Sequence, residues 1–319
     1  MVIIRRQQLF FMLLNLVLSG YKAMKIKTVG IVANTQKENT GEYAMRLKEW
    51  LEDRGIEVFI EAEIAAKIGV PGGLSWGDLA GKSELIAVLG GDGTMLRTAR
   101  NMARYDVAIV GINMGTFGYL TEINLSEMNS ALELILAGKY ITEKRMMLDV
   151  AISRGKKVIA TGTVLNDVVV NRGNLSRIGE LEIKINDMYL TTYKADGLII
   201  STPTGSTAYS LSAAGPIVYP RKNLIIINPI CPHTLTNRPI IVPENSRLQT
   251  ILWSKERGAT LTLDGQESYR IKSGDVIDVK KSDYATKLVL SPHRNYWDIL
   301  RTKLGWGGLT SGDKRKKNA

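Results

Sequence analysis

The chain has 319 residues, 45% of them hydrophobic and 23% charged. That balance suits a folded protein with room for two cores and excludes collagen-like, coiled-coil and disordered classes. The formal charge is +11, yet residues 1–24 and the tail from Thr310 each hold a net +3, leaving about +5 on the middle of the chain. So modest an excess suits phosphorylated small molecules, and no basic stretch interleaved with aromatics points to a nucleic-acid partner.

At the N-terminus, Arg5 and Arg6 precede an apolar run from Leu9 to Leu18. The run is shorter than the roughly 20 residues of a membrane span and resembles the core of a secretion signal. Met24 stands directly before a good strand, Lys25 to Val32, so Met24 is the expected natural start. Residues 1–23 then form an extension outside the native structure, and no membrane partner is expected.

From Lys25 the pattern alternates. Tyr43, Ala44, Leu47, Trp50 and Leu51 recur at helical spacing until Gly55, and Glu57–Ile60 reads as a strand. The apolar run Leu85–Leu89 is followed by a helix with Met95, Leu96, Ala99 and Met102 on one face, then by the strand Val107–Val110. Short apolar strands separated by amphipathic helices predict a Rossmann-like α/β domain over residues 24–145, its parallel sheet covered on both faces. Beyond about residue 145 the period becomes two. Strands are expected over Leu148–Ser153, Val158–Val170, Leu181–Ile185, Tyr189–Ile200, Arg247–Trp253, Thr260–Leu263, Val276–Val279 and Leu288–Leu290, forming a β-sandwich domain over residues 146–292. A final helix within 293–306 is expected to pack back on the first domain. Residues 307–319 read as a basic, solubilising tail.

The strongest chemical signal is Gly90-Gly91-Asp92-Gly93-Thr94, set between an apolar strand and a helix. Glycines let the backbone approach a bulky anion and permit conformations closed to other residues, and amides at a helix start favour phosphate. Asp92 has no oppositely charged neighbour in sequence, which leaves it to bind a metal or accept a proton; the plainer alternative is a tight turn with a capping Asp. A second glycine-rich loop, Gly111 to Leu120, follows the next strand, and the carboxyl ends of neighbouring parallel strands line one crevice. No Walker A pattern or Gly-x-Gly-x-x-Gly fingerprint occurs.

A third segment, Asp196 to Ser212, carries a strand into a loop dense in hydroxyls, suited either to a ribose and base or to capping and turn chemistry. No Gly-x-Ser-x-Gly elbow supports a nucleophilic serine. Asn166-Asp167 interrupts an apolar run, as a strand edge facing a ligand or as a turn or bulge. The single cysteine, Cys231, allows no intrachain disulfide and fits a cytoplasmic protein. His233 and His293 are too few and too far apart for a zinc site.

Taken together, these segments resemble the NAD kinase family. Gly90–Thr94 matches its phosphate loop, Gly115–Thr121 its second glycine loop, and Leu165-Asn166-Asp167 its Asn-acid pair. Ala195–Val218 matches its longest motif almost residue for residue, and Pro229–Leu235 with Leu263–Gln266 extends the match. Ala214 stands where glycine is usual, a change expected to narrow the pocket slightly, and Tyr119 where Phe is commoner.

The resemblance implies phosphoryl transfer from ATP or polyphosphate to the 2′-hydroxyl of NAD's adenosine ribose, with Mg²⁺ and with Asp92 as base. Gly90, Gly91, Gly93 and Thr94 would form the phosphate loop, and Arg97 would lie near phosphate. Asn166 and Asp167 would hold ribose or base groups. Arg177, Lys194 and Asp196 would fix the far end of the dinucleotide, while Thr207, Ala208, Tyr209, Ser210, Leu211 and Ser212 would line the adenine side. Tyr119, Thr204, Cys231 and Gln266 complete the implied NAD site. A homodimer or homotetramer is also implied. The first motif alone is shared with diacylglycerol and sphingoid kinases, which would need a wide apolar acceptor surface in place of the hydroxyl-rich loop. A non-catalytic dinucleotide-binding protein is the other alternative.

Overall fold

The computed structural model describes residues 25–115, 118–171, 180–234, 236–253 and 259–306. The alternating part forms β1 (Thr28–Ala33), α1 (Thr40–Glu52), β2 (Glu57–Ile60), α2 (Ala62–Ile68), α3 (Trp76–Lys82), β3 (Leu85–Gly90), α4 (Asp92–Met102), β4 (Ala108–Asn113), β5 (Ile123–Asn124) and α5 (Met128–Leu136). Strands β2, β1, β3 and β4 pair in that order, all parallel. Every residue of β3 and β4 is buried, as expected where helices cover both faces.

Alternate residues of β3 serve opposite layers. Leu85, Ala87 and Leu89 join a core with Ala44, Leu47 and Leu51 of α1, whereas Ile86 and Val88 pack with Met95, Ala99 and Met102 of α4. Helix α1 therefore lies on one face and α4 on the other. Each fully buried Leu or Ile contributes about 1.5–3 kcal/mol of transfer free energy. Helices α2 and α3 were not expected from the sequence. Each has seven residues, too few to establish a period, and their caps mark them instead: Glu61 accepts from Glu63 N and Ile64 N, and Ser75 from Asp78 N.

The remainder comprises β6 (Thr142–Arg154), β7 (Lys157–Val164), β8 (Asp167–Asn171), β9 (Glu180–Ile185), β10 (Met188–Lys194), β11 (Gly197–Ser201), the short helix α6 (Tyr209–Ser212), β12 (Leu224–Ile230), β13 (Ile240–Pro243), β14 (Leu248–Trp253), β15 (Ala259–Leu263), β16 (Glu267–Ile271), β17 (Val276–Val289) and α7 (Tyr296–Leu304). Six strands form an antiparallel sheet in the order β13-β12-β11-β8-β15-β16. Its inner residues Val168, Leu198, Ile225 and Leu261 share one core with Leu148, Ile183, Leu248 and Ile277 of the opposing sheet. The fold is thus an α/β part joined to a sandwich, as expected.

The join is tighter than two separate sheets. Strand β17 pairs antiparallel with β14 and β6, and near its end Lys287 and Leu288 pair in parallel with Ala108 and Ile109 of β4. Its polar middle, Lys280 to Asp283, hid this continuity in the sequence, where two short strands were expected. The expected Val158–Val170 run instead divides at Leu165-Asn166, and Tyr189–Ile200 at Ala195-Asp196. Strands β12 and β13 were not anticipated, since Pro229 and Pro243 argue against strands. Helix α7 buries Ile299 and Leu300, stacks Trp297 on Tyr219 at 5.5 Å, and places Lys303 Nζ 5.6 Å from the Tyr119 ring centre.

Candidate active site

With α1 and α4 on opposite faces, the crevice at the carboxyl ends of β1 and β3 lies at the point where the sheet reverses its winding, the usual ligand position in such sheets. A cleft of about 510 Å³ opens there, lined by Asn34 to Lys37 after β1 and by Gly91, Gly93, Thr94, Arg97, Arg100 and Gln266. That volume is within the range of small-molecule sites. A larger depression of about 680 Å³ between Arg104 and Lys280 shares Arg100 but no residue of the glycine loop.

The glycines act by size. None of Gly90, Gly91 and Gly93 has a positive φ, so the expectation of a conformation closed to other residues is corrected. A Cβ on Gly90 would meet Thr94 Oγ1 at 2.4 Å, whereas one on Gly91 would meet nothing within 4 Å. Gly90 is therefore small for packing, and Gly91 leaves space at the mouth of α4.

Asp92 neither caps a helix nor stands free. It is the first residue of α4, the N-cap is Gly91, and no side chain caps that end. Its carboxylate instead crosses to the second glycine loop, accepting from Tyr119 N at 2.8 Å, Leu120 N at 3.0 Å, Thr121 N at 3.2 Å and Thr121 Oγ1 at 3.2 Å. A Cβ on Gly118 would lie 2.0 Å from Asp92 Oδ1, so only glycine lets this loop wrap the carboxylate. Together with burial, Asp92 pushes the Tyr119 phenol above its ordinary value.

Arg97 lines the cleft but is held by Glu63 at 2.5 Å, with its guanidinium 5.5 Å from the Trp76 ring centre. Gln266 Nε2 donates to Gly93 O at 2.6 Å and so ties the β15–β16 turn to the first glycine loop. In that turn the buried carboxylate of Asp264 accepts three successive amides, Leu165 N at 3.0 Å, Asn166 N at 2.8 Å and Asp167 N at 3.1 Å. Arg100 of α4 lies 3.5 Å from it. Burial pushes Asp264 upward, which its amide bonds and Arg100 oppose. Asp167 is pushed to about 7, by burial first and by the Asp264 charge second. Leu165-Asn166 is therefore a bend shaped by Asp264, and Asp167 opens β8 directly after it.

The hydroxyl-rich stretch packs on the same bend. Ser201 Oγ donates to Asn166 O at 3.1 Å, Thr202 Oγ1 to Leu165 O at 2.6 Å, and a Cβ on Gly205 would lie 2.2 Å from Asn166 O. Several of its hydroxyls serve the fold. Ser206 Oγ donates to Pro203 O and accepts from Val218 N, and Asn228 Nδ2 donates to Ser210 Oγ. Thr207 Oγ1 donates to Thr204 O at 3.4 Å. Thr204 Oγ1 is buried with no partner among the described residues. Ala208 and Leu211 are half-buried, and Tyr209 and Ser212 are exposed. Ala214 has φ 59° and is exposed, so the usual glycine there answers a backbone requirement, and the expected narrowing of the pocket is replaced by local strain.

Other expected residues lie apart. Ser201 pairs with Asp167 at one end of β11 and Gly197 with Asn171 at the other, about 13 Å away at 3.3 Å per residue. Beyond that far end sit Asp196, 3.9 Å from His233, Lys194, 3.4 Å from Glu180, and the exposed Cys231. Arg177 falls outside the described residues. The Asn34–Lys37 segment, Arg100 and Asp264 were missed as site residues, although the end of β1 beside a glycine-ended β3 is the signal that a winding reversal offers. Among the described residues no group of three His, Cys, Asp or Glu is placed to hold a metal, and no helix is long and apolar enough to cross a membrane.

A glycine-loop cleft at the winding reversal of a parallel sheet, closed by the turns of a β-sandwich, is the architecture of a nucleotide-using phosphotransferase. Residues 165–291 match the ATP-NAD kinase C-terminal domain and residues 79–140 its N-terminal domain. The chain is 46% identical over 282 residues to the NAD kinase of Geobacter sulfurreducens, covering 88% of this chain and 99% of that one. It is 43% identical over 294 residues to the NAD kinase of Magnetococcus marinus, covering 91% and 97%. The chain belongs to the NAD kinase family. Among solved structures it superposes on yeast NADH kinase complexed with NADH at a TM-score of 0.80, with 25% identity and 90% of each chain covered. An Archaeoglobus fulgidus NAD kinase in complex with ATP shares the fold at a TM-score of 0.68 and 24% identity, covering 88% and 100%.

Proposed function

We propose that this chain transfers the γ-phosphoryl group of ATP to the 2′-hydroxyl of the adenosine ribose of NAD, giving NADP and ADP. As the ribose oxygen–phosphorus bond forms and the β–γ bridge breaks, Asp92 takes the hydroxyl proton. One observation carries this reading: the Asp264–Gln266 turn fastens the Asn166-Asp167 segment to Gly93, so the segment that would hold the acceptor and the loop that would hold the donor are built as one unit. The yeast relative was solved with NADH and the archaeal one with ATP, which supports a dinucleotide acceptor and a nucleotide donor.

Phosphate would rest on the amides at the start of α4, with Lys37 and Arg97 supplying charge. Among the described residues the lining of the cleft is neutral or cationic, which suits phosphate oxygens, and an ion would be carried in on them, with Asp92 as the acidic residue of the loop. When bound, Mg²⁺ supplies neutralisation of the phosphate charge. Asn166, Asp167, Thr204 and the stretch from Thr207 to Ser212 would bind the adenosine half. Lys194, Asp196 and Cys231, at the far end of β11, would reach the dinucleotide of a second copy in a homodimer or homotetramer. The exposed thiol of Cys231 supports a cytoplasmic setting.

The test is NADP formation from NAD with ATP and then polyphosphate as donor, with and without Mg²⁺. Formation with at least one donor, lost on chelation, is expected. NAD binding with no NADP from either donor would overturn the reading.

A further inference from the structure

Behind the second glycine loop lies a cavity of about 210 Å³ that the proposed reaction does not use. It sits where Glu122, the start of β6 and the approach to α7 converge. Lys139, Arg145, Arg221 and Arg294 line it against two carboxylates, Glu122 and Glu143. Arg145 is 4% exposed and lies 3.0 Å from Glu143, whose other oxygen is 3.5 Å from Arg221 Nε. Arg294 is already committed, donating to Glu122 O at 2.9 Å and to Glu127 at 2.6 Å.

Two donors in these walls are buried with no partner among the described residues: Arg145 Nε and Tyr296 Oη. Buried donors left unpaired are costly, and native structures seldom keep them without a ligand or water. Glu122 accepts from Ser291 N at 2.9 Å, and burial pushes it to about 7, which deepens the positive excess. The Tyr219 and Tyr296 rings, 5.2 Å apart and edge to face, supply an apolar wall.

We propose that this cavity binds a small organic anion, its carboxylate or phosphate head on Arg145 and Arg221 and its apolar body against Tyr219 and Tyr296. Such a ligand would supply acceptors for the two orphaned donors and balance the excess of cations. Glu122 directly follows Thr121, which grips Asp92, so occupancy bears on the loop that holds the catalytic carboxylate.

The full chain is titrated calorimetrically with phenyl phosphate, benzoate, inorganic phosphate and, as an uncharged control, phenol. Each titration is repeated with ATP saturating the phosphate loop, so that binding there is distinguished from binding in the cavity. Saturable binding of phenyl phosphate or benzoate that survives ATP is expected. Arg145→Gln and Arg221→Gln should weaken it about tenfold or more, and Glu143→Gln, which removes the competing carboxylate, should tighten it. Arg221 has a 61% exposed side chain, so Arg221→Gln remains informative should Arg145→Gln fail to fold, and its turnover without anion should equal that of the parent. Binding abolished by ATP, insensitive to Arg221→Gln, matched by phenol or inorganic phosphate, or absent overturns the proposal and leaves the cavity to water.

Discussion

Asp92 and Thr121 meet twice, for the threonine's amide and hydroxyl each donate to Asp92 Oδ1 at 3.2 Å. The Leu120 amide adds a third donor to Oδ1, whereas among the described residues Oδ2 accepts only the Tyr119 amide, which leaves a lone-pair direction of Oδ2 open. Oδ2 is therefore the oxygen on which Asp92 would accept a substrate proton, while Oδ1 stays in the grip of the loop. Residues 119–121 therefore fix the orientation of this carboxylate.

Asp92→Asn should lower turnover by about a hundredfold or more. NAD binding, followed by calorimetry, should persist. Turnover close to that of the parent would rule out the base role.

Gly118 and Gly91 should respond in opposite ways to alanine. At Gly118 the new Cβ would lie 2.0 Å from Asp92 Oδ1 and 2.3 Å from Thr121 Oγ1, so overpacking should cost about 1–3 kcal/mol of stability and turnover should fall with it. At Gly91 the Cβ meets nothing within 4 Å. There, stability should hold within about 0.5 kcal/mol while the KM for ATP rises. Denaturant melts and initial rates on the two variants check both halves.

Asp264 should behave as a positioning residue. Asp264→Asn turns an NH₂ group toward one of the three amides it now accepts and weakens its pairing with Arg100. A loss of about 1–3 kcal/mol in stability is expected. A merely structural residue would leave kinetics of the surviving folded enzyme unchanged. Instead, the KM for NAD should rise more than that for ATP.

Asp167 gives a dependence on pH in the ligand-free protein. Its folded pKa of about 7 lies above the ordinary 3.8, so the folded state keeps a proton that the unfolded chain has released. That contribution is complete below about pH 4 and is lost as pH rises through 7. Asp167→Asn should therefore gain stability relative to the parent as pH rises from about 4 to about 7 and hold that gain above it, at about 1.4 kcal/mol for each pKa unit removed. Glu122, raised likewise, is present in both proteins and cancels in the difference. Equal denaturation midpoints for the two proteins at every pH would refute this.

Ala214 adopts φ 59° with its side chain in solvent. Ala214→Gly should stabilise the protein by about 0.5–1 kcal/mol, the cost of the left-handed region less the entropy glycine loses on folding. Thermal melting at fixed concentration measures it.

The sequence by itself determined the layers and the chemical vocabulary. Apolar period and helical spacing located β1, β3, β4, α1 and α4, because one-sided burial leaves its pattern in neighbouring residues, and the glycine cluster marked the strand-to-helix loop that lines the cleft. Only the tertiary structure decided which partners those residues take. Asp92 ends on amides 27 to 29 positions away, Asp264 on amides 97 to 99 away, and β17 pairs with β4 across the whole middle of the chain. No local period encodes such meetings, since they arise from sheet register and the closure of turns in space. For the same reason a carboxylate that looked free among its glycines proves to be held, chiefly through Oδ1, by a distant loop.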